Sequence, residues 1–301
     1  MTLRHPSLRP RHPDLAGKTF LVCIGAAKCA TSWLHAYLSG LPECAPSPLK
    51  EVHFFDARHP AHCLGDPDAL ALARLKFHLD QPGDALENLR RRDTFRASLD
   101  RAQMIQDETA YFGHFARLCG PETRCFADIT PGYSAIGAAG FADIRDVAAH
   151  QGCRLRVLFI LRDPVARFWS QLRHLEQMAP DTRATQDWDG VRQMPALTAR
   201  ADYAGILTAL DATFGAGEVL CLFYETLFTE ATQRRLCDFI DVPFAPADAN
   251  ARHNETTLKA PLPQAARTAL AAQLAPQYAF CRDRFGTALP ANWHGGRRRN
   301  L

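Results

Sequence analysis

Several things are scarce in this chain of 301 residues, and each absence removes a class of function. No run approaches the roughly 18 consecutive apolar residues of a membrane-spanning helix, so no membrane span is expected. The first seventeen residues, MTLRHPSLRPRHPDLAG, contain no apolar stretch of the kind a secretory leader needs and read as a loose basic arm. The ten cysteines are scattered with no CxxC pair, which argues against disulfide frameworks and common zinc sites. They read as small apolar side chains in a reducing, cytoplasmic setting. Charge of one sign is also in short supply. A formal net charge of +3 is too small for wholesale nucleic-acid binding, although it leaves room for a local basic cleft facing an anion. Internal repeats and low-complexity linkers are missing, and no signal of oligomeric state is present.

What remains is enough for one large core, since 47% of the residues are hydrophobic and 22% charged. The organisation expected is a flexible arm over 1–17, a single domain over 18–295 with a helical insertion at about 57–124, and a basic tail over 296–301. Three short, nearly continuous apolar runs read as strands buried on both faces of a parallel sheet: Thr19 to Ile24, Arg156 to Leu161 and Val219 to Tyr224. After the first, Leu34, Leu38 and Leu41 recur at helical spacing, and Gly40 and Pro42 mark the end. After the second, Asp163 and Pro164 read as cap and first residue of a helix through Arg173. Strand, loop and helix thus alternate. The fold expected is α/β, a P-loop-like three-layer arrangement with a central, mainly parallel sheet flanked by helices and its ligand beyond the carboxyl ends of the strands. In the insertion, Leu70, Leu72, Leu75, Phe77 and Leu79 supply apolar residues, while Arg90, Arg91 and Arg92 read as a solvated helix face, with contact to an acidic acceptor as the alternative.

The most informative segment is GAAKCATSWL, Gly25 to Leu34, directly after the first strand. A small-residue loop, a lysine and a helix opening on Thr31 and Ser32 combine backbone N–H groups, the helix dipole and an ammonium into an anion cradle. It departs from the Walker A pattern, because Ala27 rather than glycine precedes Lys28 and the hydroxyls follow three and four residues later.

This loop resembles the 5'-phosphosulfate-binding loop of sulfotransferases that use 3'-phosphoadenosine 5'-phosphosulfate (PAPS), written KxGTTxL. LRDPVARFWSQLRH resembles their 3'-phosphate motif, RxPxxRxxS, and KEVHFFD, Lys50 to Asp56, resembles a stretch in the enzymes that modify heparan sulfate. Fainter likeness runs through ITPGY, YETL and FGTALPANW, from Lys18 to Trp293. The resemblance implies a PAPS-dependent O-sulfotransferase without a metal requirement, acting on a hydroxyl-bearing acceptor such as a carbohydrate. It places Lys28, Cys29, Ala30, Thr31, Ser32 and Trp33 at the phosphosulfate and Arg162 and Ser170 at the 3'-phosphate, where a guanidinium fork and a hydroxyl suit the chemistry. Lys28 would carry leaving-group charge. Glu51 matches the proton acceptor of the heparan-type enzymes and His53 the histidine of the small-molecule enzymes; Glu51 is the preferred base. In an extended segment both would point to one side, with Phe54 and Phe55 on alternate faces.

Departures from the family pattern bear on the expectation. Ala30 stands where glycine is usual, and Asp128 stands where the heparan-type enzymes carry lysine, so a carboxylate there would repel a polyanionic acceptor. Arg167 reads as a structural ion-pair partner, and Lys259 as a further basic contact from a late loop. A metal site from His53, His59, His62 and Cys63 fits no standard zinc spacing. The alternatives are a P-loop-type kinase or NTPase, which requires GK[ST] in this loop and a metal-binding aspartate, and a non-catalytic nucleotide- or glycan-binding protein.

Overall fold

The computed structural model describes residues 10–247 and 257–294. In chain order the elements are β1 (Thr19–Gly25), α1 (Thr31–Ser39), β2 (Cys44–Pro46), α2 (Phe55–Arg58), α3 (Pro67–Leu79), α4 (Ala85–Arg91), α5 (Asp93–Gln103), α6 (Ala110–Leu118), β3 (Cys125–Ile129), α7 (Gly137–Gln151), β4 (Arg154–Leu161), α8 (Pro164–Met178), α9 (Trp188–Val191), α10 (Pro195–Ala201), α11 (Tyr203–Thr213), β5 (Val219–Phe223), α12 (Glu230–Ile240), α13 (Gln264–Gln273) and α14 (Ala275–Phe285). The strands form one parallel sheet in the order β2-β3-β1-β4-β5, flanked by helices. This is the three-layer α/β fold expected.

Continuous apolar runs become central strands here because both faces of the sheet are covered: every residue of β1 is buried, as are the last five of β4. Phe20 of β1 stacks on Phe126 of β3 at 4.8 Å and meets Phe112 and Phe115 of α6. Phe159 of β4 packs edge-on against Tyr203 of α11. From β1 the chain turns through α1 to the β2 edge, whereas from β3 it crosses to β4 on the other side of β1. The sheet therefore has its switch point around β1, and the crevice at that point opens beyond the carboxyl ends of β1 and β4.

Helix α8 is capped as its sequence indicates: Asp163 Oδ1 accepts the Ala166 N–H at 2.8 Å and Pro164 occupies the first helical position. It runs on to Met178, past Arg173, because Phe168, Trp169 and Leu172 bury one face in a second apolar cluster with Leu197, Ala266 and Leu270.

The insertion differs from expectation in what anchors it. Leu72 and Phe77 of α3 are 56% and 62% exposed, so this stripe does not face the core. The insertion is held to the core by Tyr111, Phe112 and Phe115 of α6, and two arginines, from α3 and α5, reach inward as well, as described below. The described part of the arm is anchored: Leu15 is fully buried, and Gln151 of α7 accepts the His12 N–H and donates to the Pro10 carbonyl. Residues 1–9 and the tail over 296–301 lie outside the described residues.

Candidate active site

The loop after β1 is shaped by two residues with left-handed backbone, Lys28 (φ 71°) and Ala30 (φ 61°). Ala30 caps α1 without a side-chain bond, so the conformation in which glycine is usual is kept by an alanine, at a cost of about 1–2 kcal/mol. The first helical bond runs from Leu34 N–H to Ala30 C=O, which leaves the N–H groups of Thr31, Ser32 and Trp33 at the open helix end. Cys29 is fully buried, and burial pushes its thiol up to about 12; the thiol donates to the Ala27 carbonyl within the loop at 3.9 Å. The Trp33 indole stacks on Tyr37 at 5.3 Å and meets Phe228, so this side chain too is packing.

Lys28 sits where positive charge converges. Burial, with Lys50, Arg173 and Arg162 nearby, lowers its pKa to about 8 even though Glu51 opposes the shift. Arg162, at the end of β4, donates from Nη1 to the Lys28 carbonyl at 3.0 Å and lies 4.4 Å over the Tyr224 ring. Along α8, Ala166, Trp169 and Arg173 follow Arg162 at helical spacing and line a cavity of about 340 Å3, closed by Lys259, Pro261 and Arg267. Four cationic side chains thus face one carboxylate, Asp163, which is already engaged by the Ala166 N–H and by the Tyr278 hydroxyl at 2.7 Å. Ser170 is brought onto the same helix but is 4% exposed and does not line this cavity.

Across the crevice, the segment from Lys50 to Phe54 is irregular rather than extended, and α2 follows from Phe55. Glu51 (φ 63°) and His53 (φ 57°) both adopt left-handed backbone, and this, not strand alternation, turns their side chains together. His53 Nδ1 lies 2.6 Å from Asp56 Oδ2, His53 Nε2 lies 3.4 Å from Glu51 Oε2, and Lys50 Nζ lies 2.5 Å from Glu51 Oε1. Burial alone would lower the imidazole pKa, but Asp56 and Glu51 outweigh it and raise it to about 9. The Glu51 carboxyl is held below the usual range because His53 and Lys50 outweigh its burial. At neutral pH Glu51 and His53 therefore form a carboxylate–imidazolium pair. The His53 ring thus lies between the carboxyl groups of Glu51 and Asp56. Phe54 and Phe55 are both buried and pack on Tyr111.

Left-handed backbone at two bulky residues needs external support. Arg101 of α5, 2% exposed, donates from Nε to the Val52 carbonyl at 2.7 Å and from Nη2 to the His53 carbonyl at 3.0 Å, and it pairs with Asp68 at 2.7 Å. Arg74 of α3 donates to the Glu51 carbonyl at 2.7 Å. The Phe54 N–H is taken by the Tyr133 hydroxyl, which donates to Asp128. A Cβ at Gly132 would collide with Asp56 Oδ2, which explains the glycine of ITPGY.

Two expectations are corrected by this geometry. Asp128 is fully buried and accepts from Thr130 at 2.6 Å and from Tyr111 and Tyr133 at 2.8 Å, so it braces the site from within and cannot repel an acceptor. Arg167 is 1% exposed and, among the described residues, in no ion pair. Arg90, Arg91 and Arg92 are exposed, with Arg91 paired to Glu87 on its own helix. Among the described residues no group of three or more His, Cys, Asp or Glu side chains is placed to hold a metal ion, and no helix is long and apolar enough to cross a membrane. Asp56, Arg74, Arg101 and Arg173 were not picked out as site residues from sequence; of these, only Asp56 has a local signal, its place three residues after His53.

Comparison with known proteins identifies the family. Residues 21–246 match the model of the sulfotransferase family, and the chain belongs to that family. Among solved structures it is similar to a sulfotransferase from Alicyclobacillus acidocaldarius, with 26% identity over 93% of this chain and 100% of that one and a TM-score of 0.59. Two further similar structures are the sulfotransferase domain of the Synechococcus PCC 7002 olefin synthase and that of the curacin biosynthetic pathway, each 17% identical with a TM-score of 0.42. They cover 88% of this chain and 98% and 99% of their own. No curated protein sequence matches. As a family member the protein is a transferase of sulfuryl groups.

Proposed function

We propose that the donor is PAPS and that the acceptor is a hydroxyl of a carbohydrate or other polyhydroxyl compound. The observation that carries this reading is the run of cations from Lys28 through Arg162 and Arg173 to Lys259 and Arg267, which joins the anion-binding loop to the cavity lined by α8. A donor anionic at both ends suits such a run, with the phosphosulfate at the loop and the 3'-phosphate at Arg162. Ser170, on the helix behind the cavity wall, would support that end indirectly.

In the transfer, the acceptor oxygen forms a bond to sulfur while the bond from sulfur to the bridging phosphate oxygen breaks in line. Glu51 takes the hydroxyl proton. Lys28 and the N–H groups of Thr31 and Ser32 stabilise the charge that grows on the leaving phosphate. His53, held as imidazolium by Asp56, orients Glu51 and keeps it ionised. Positive charge supplied by side chains and the helix end does here what a metal does in many phosphoryl transferases. All ten cysteines are free, in keeping with a cytoplasmic enzyme.

The test is transfer of radiolabelled sulfate from PAPS to a host metabolite extract in EDTA, followed by identification of the labelled product. A thermal shift by adenosine 3',5'-bisphosphate in EDTA is expected alongside. A shift by Mg-ATP alone would favour a kinase, and binding without turnover a non-catalytic nucleotide-binding protein.

A further inference from the structure

Arg167 lies in the first turns of α8, four residues beyond its cap Asp163, and is almost completely buried. Among the described residues none of its nitrogens Nε, Nη1 and Nη2 has a hydrogen-bond partner. The one aromatic contact is with its neighbour in sequence, Phe168, at 5.7 Å. A guanidinium removed from water and left bare is among the most unfavourable arrangements a folded chain can hold, and buried polar groups without partners are rare enough to need a cause.

Among the described residues no carboxylate forms an ion pair with it. Asp163 is engaged by the Ala166 N–H and the Tyr278 hydroxyl. Glu225 takes the Asp163 N–H and the Trp293 indole N–H on Oε1 and keeps Oε2 bare rather than meeting Arg167. Arg200, from α10, adds a second cation and spends it on the carbonyls of His62 and Ala196. Polar groups that share the surroundings of Arg167 include the Tyr203 hydroxyl, which is bonded to the Arg162 backbone, and the Cys29 thiol, while Gln171, one turn further along α8, keeps its Oε1 without a partner. Cys29 is the inward-facing residue of the phosphate loop, between Lys28 and Ala30. A permanent positive charge therefore lies on the inner side of the loop, whose outer side carries the Lys28 ammonium and the open end of α1.

We infer that Arg167 is a positioning residue for the donor, kept without a counter-ion in the free protein so that the phosphosulfate bound on the far side of the loop becomes its counter-charge. This rests on the donor reading above. Arg167 touches no ligand; it acts through the loop, adding to the field that Lys28 and the helix end present. The unfavourable burial in the free state is relieved on binding, which makes the loss of stability in the empty enzyme and the gain in affinity two sides of one arrangement.

The experiment compares wild type with Arg167→Met, which keeps the length of the stem and removes the charge, and with Arg167→Lys, which keeps the charge. Without nucleotide, R167M should melt no lower than wild type. By calorimetry it should bind adenosine 3',5'-bisphosphate roughly tenfold less tightly, and adenosine 5'-phosphosulfate by the same factor, since the effect acts at the 5' end. R167K should stay within about threefold of wild type. A ligand-free melting temperature clearly below wild type would show that Arg167 has a structural partner and overturns the inference; so does unchanged affinity. If R167M does not fold, R167K decides: near wild-type binding supports the inference, and a loss as large as tenfold sinks it. Inorganic pyrophosphate, which carries no nucleoside, separates this from the donor reading. If wild type binds pyrophosphate but neither nucleotide, the donor reading fails, and weakened pyrophosphate binding by R167M still upholds the inference.

Discussion

Arg101 and Arg167 are two buried guanidinium groups, 2% and 1% exposed, treated in opposite ways. Arg101, beneath the acceptor segment, makes bonds to the carbonyls of Val52 and His53 and to Asp68; Arg167, beneath the donor loop, makes none among the described residues. One region is complete in the free protein. The other keeps an excess of positive charge. In the function proposed, the acceptor side needs its carboxylate and imidazolium fixed in advance, so internal partners are used up to fix them. The donor side, in the same proposal, attracts a multiply charged anion, and each internal counter-ion there would compete with it.

The comparison breaks most visibly if activity does not depend on both sides. Glu51→Gln and Lys28→Ala should each lower turnover by roughly two or more orders of magnitude with the fold intact, as read by single-turnover transfer of labelled sulfate. Wild-type turnover in E51Q with a severe loss in His53→Ala would move the base role to His53.

Stability should separate the two arginines next. Arg101→Met leaves the Val52 and His53 carbonyls unsatisfied and frees two left-handed residues, so denaturant unfolding should show a loss of about 2–3 kcal/mol. No loss would mean that Arg101 is as uncommitted as Arg167 and would erase the contrast.

On the donor side, Arg162→Ala should weaken adenosine 3',5'-bisphosphate by about ten- to a hundredfold in calorimetry while adenosine 5'-phosphosulfate, which lacks the 3'-phosphate, changes little. Equal losses for both would reassign Arg162 to the support of the loop through the Lys28 carbonyl.

The smallest effect is in pH. Lys28 has its pKa lowered to about 8, and it attracts the donor only when protonated. Donor affinity should therefore be full below about 8 and fall as pH rises through that value, by at most about tenfold per unit. His53, raised to about 9, should add a loss of turnover above that pH as its charge and its hold on Glu51 disappear. A flat profile from pH 7 to 10 would show that neither cation is used as proposed.

Much of this was legible from sequence, for identifiable reasons. The runs Thr19 to Ile24 and Arg156 to Leu161 declared themselves as central strands because burial on both faces demands a nearly continuous apolar run, and the strands found, Thr19–Gly25 and Arg154–Leu161, extend them by one and two residues. The cap at Asp163 and the lysine in GAAKCATSWL were equally open, since capping and anion cradles are local devices. The Asp128 expectation failed because a carboxylate in a strand has the same letter whether it faces an acceptor or three hydroxyls.

By itself the sequence determined the alternation of strand and helix, the loop that can cradle an anion and the presence of Glu51, His53 and Asp56 within six residues, because each depends on neighbours in the chain. Only the tertiary structure decided which arginines matter. Arg101 reaches Val52 across 49 positions and Arg162 reaches Lys28 across 134, and whether a guanidinium is satisfied or bare depends on what distant elements bring to it. Charge is written in the sequence, but its compensation is a property of the packed interior, where the low dielectric makes a missing partner costly.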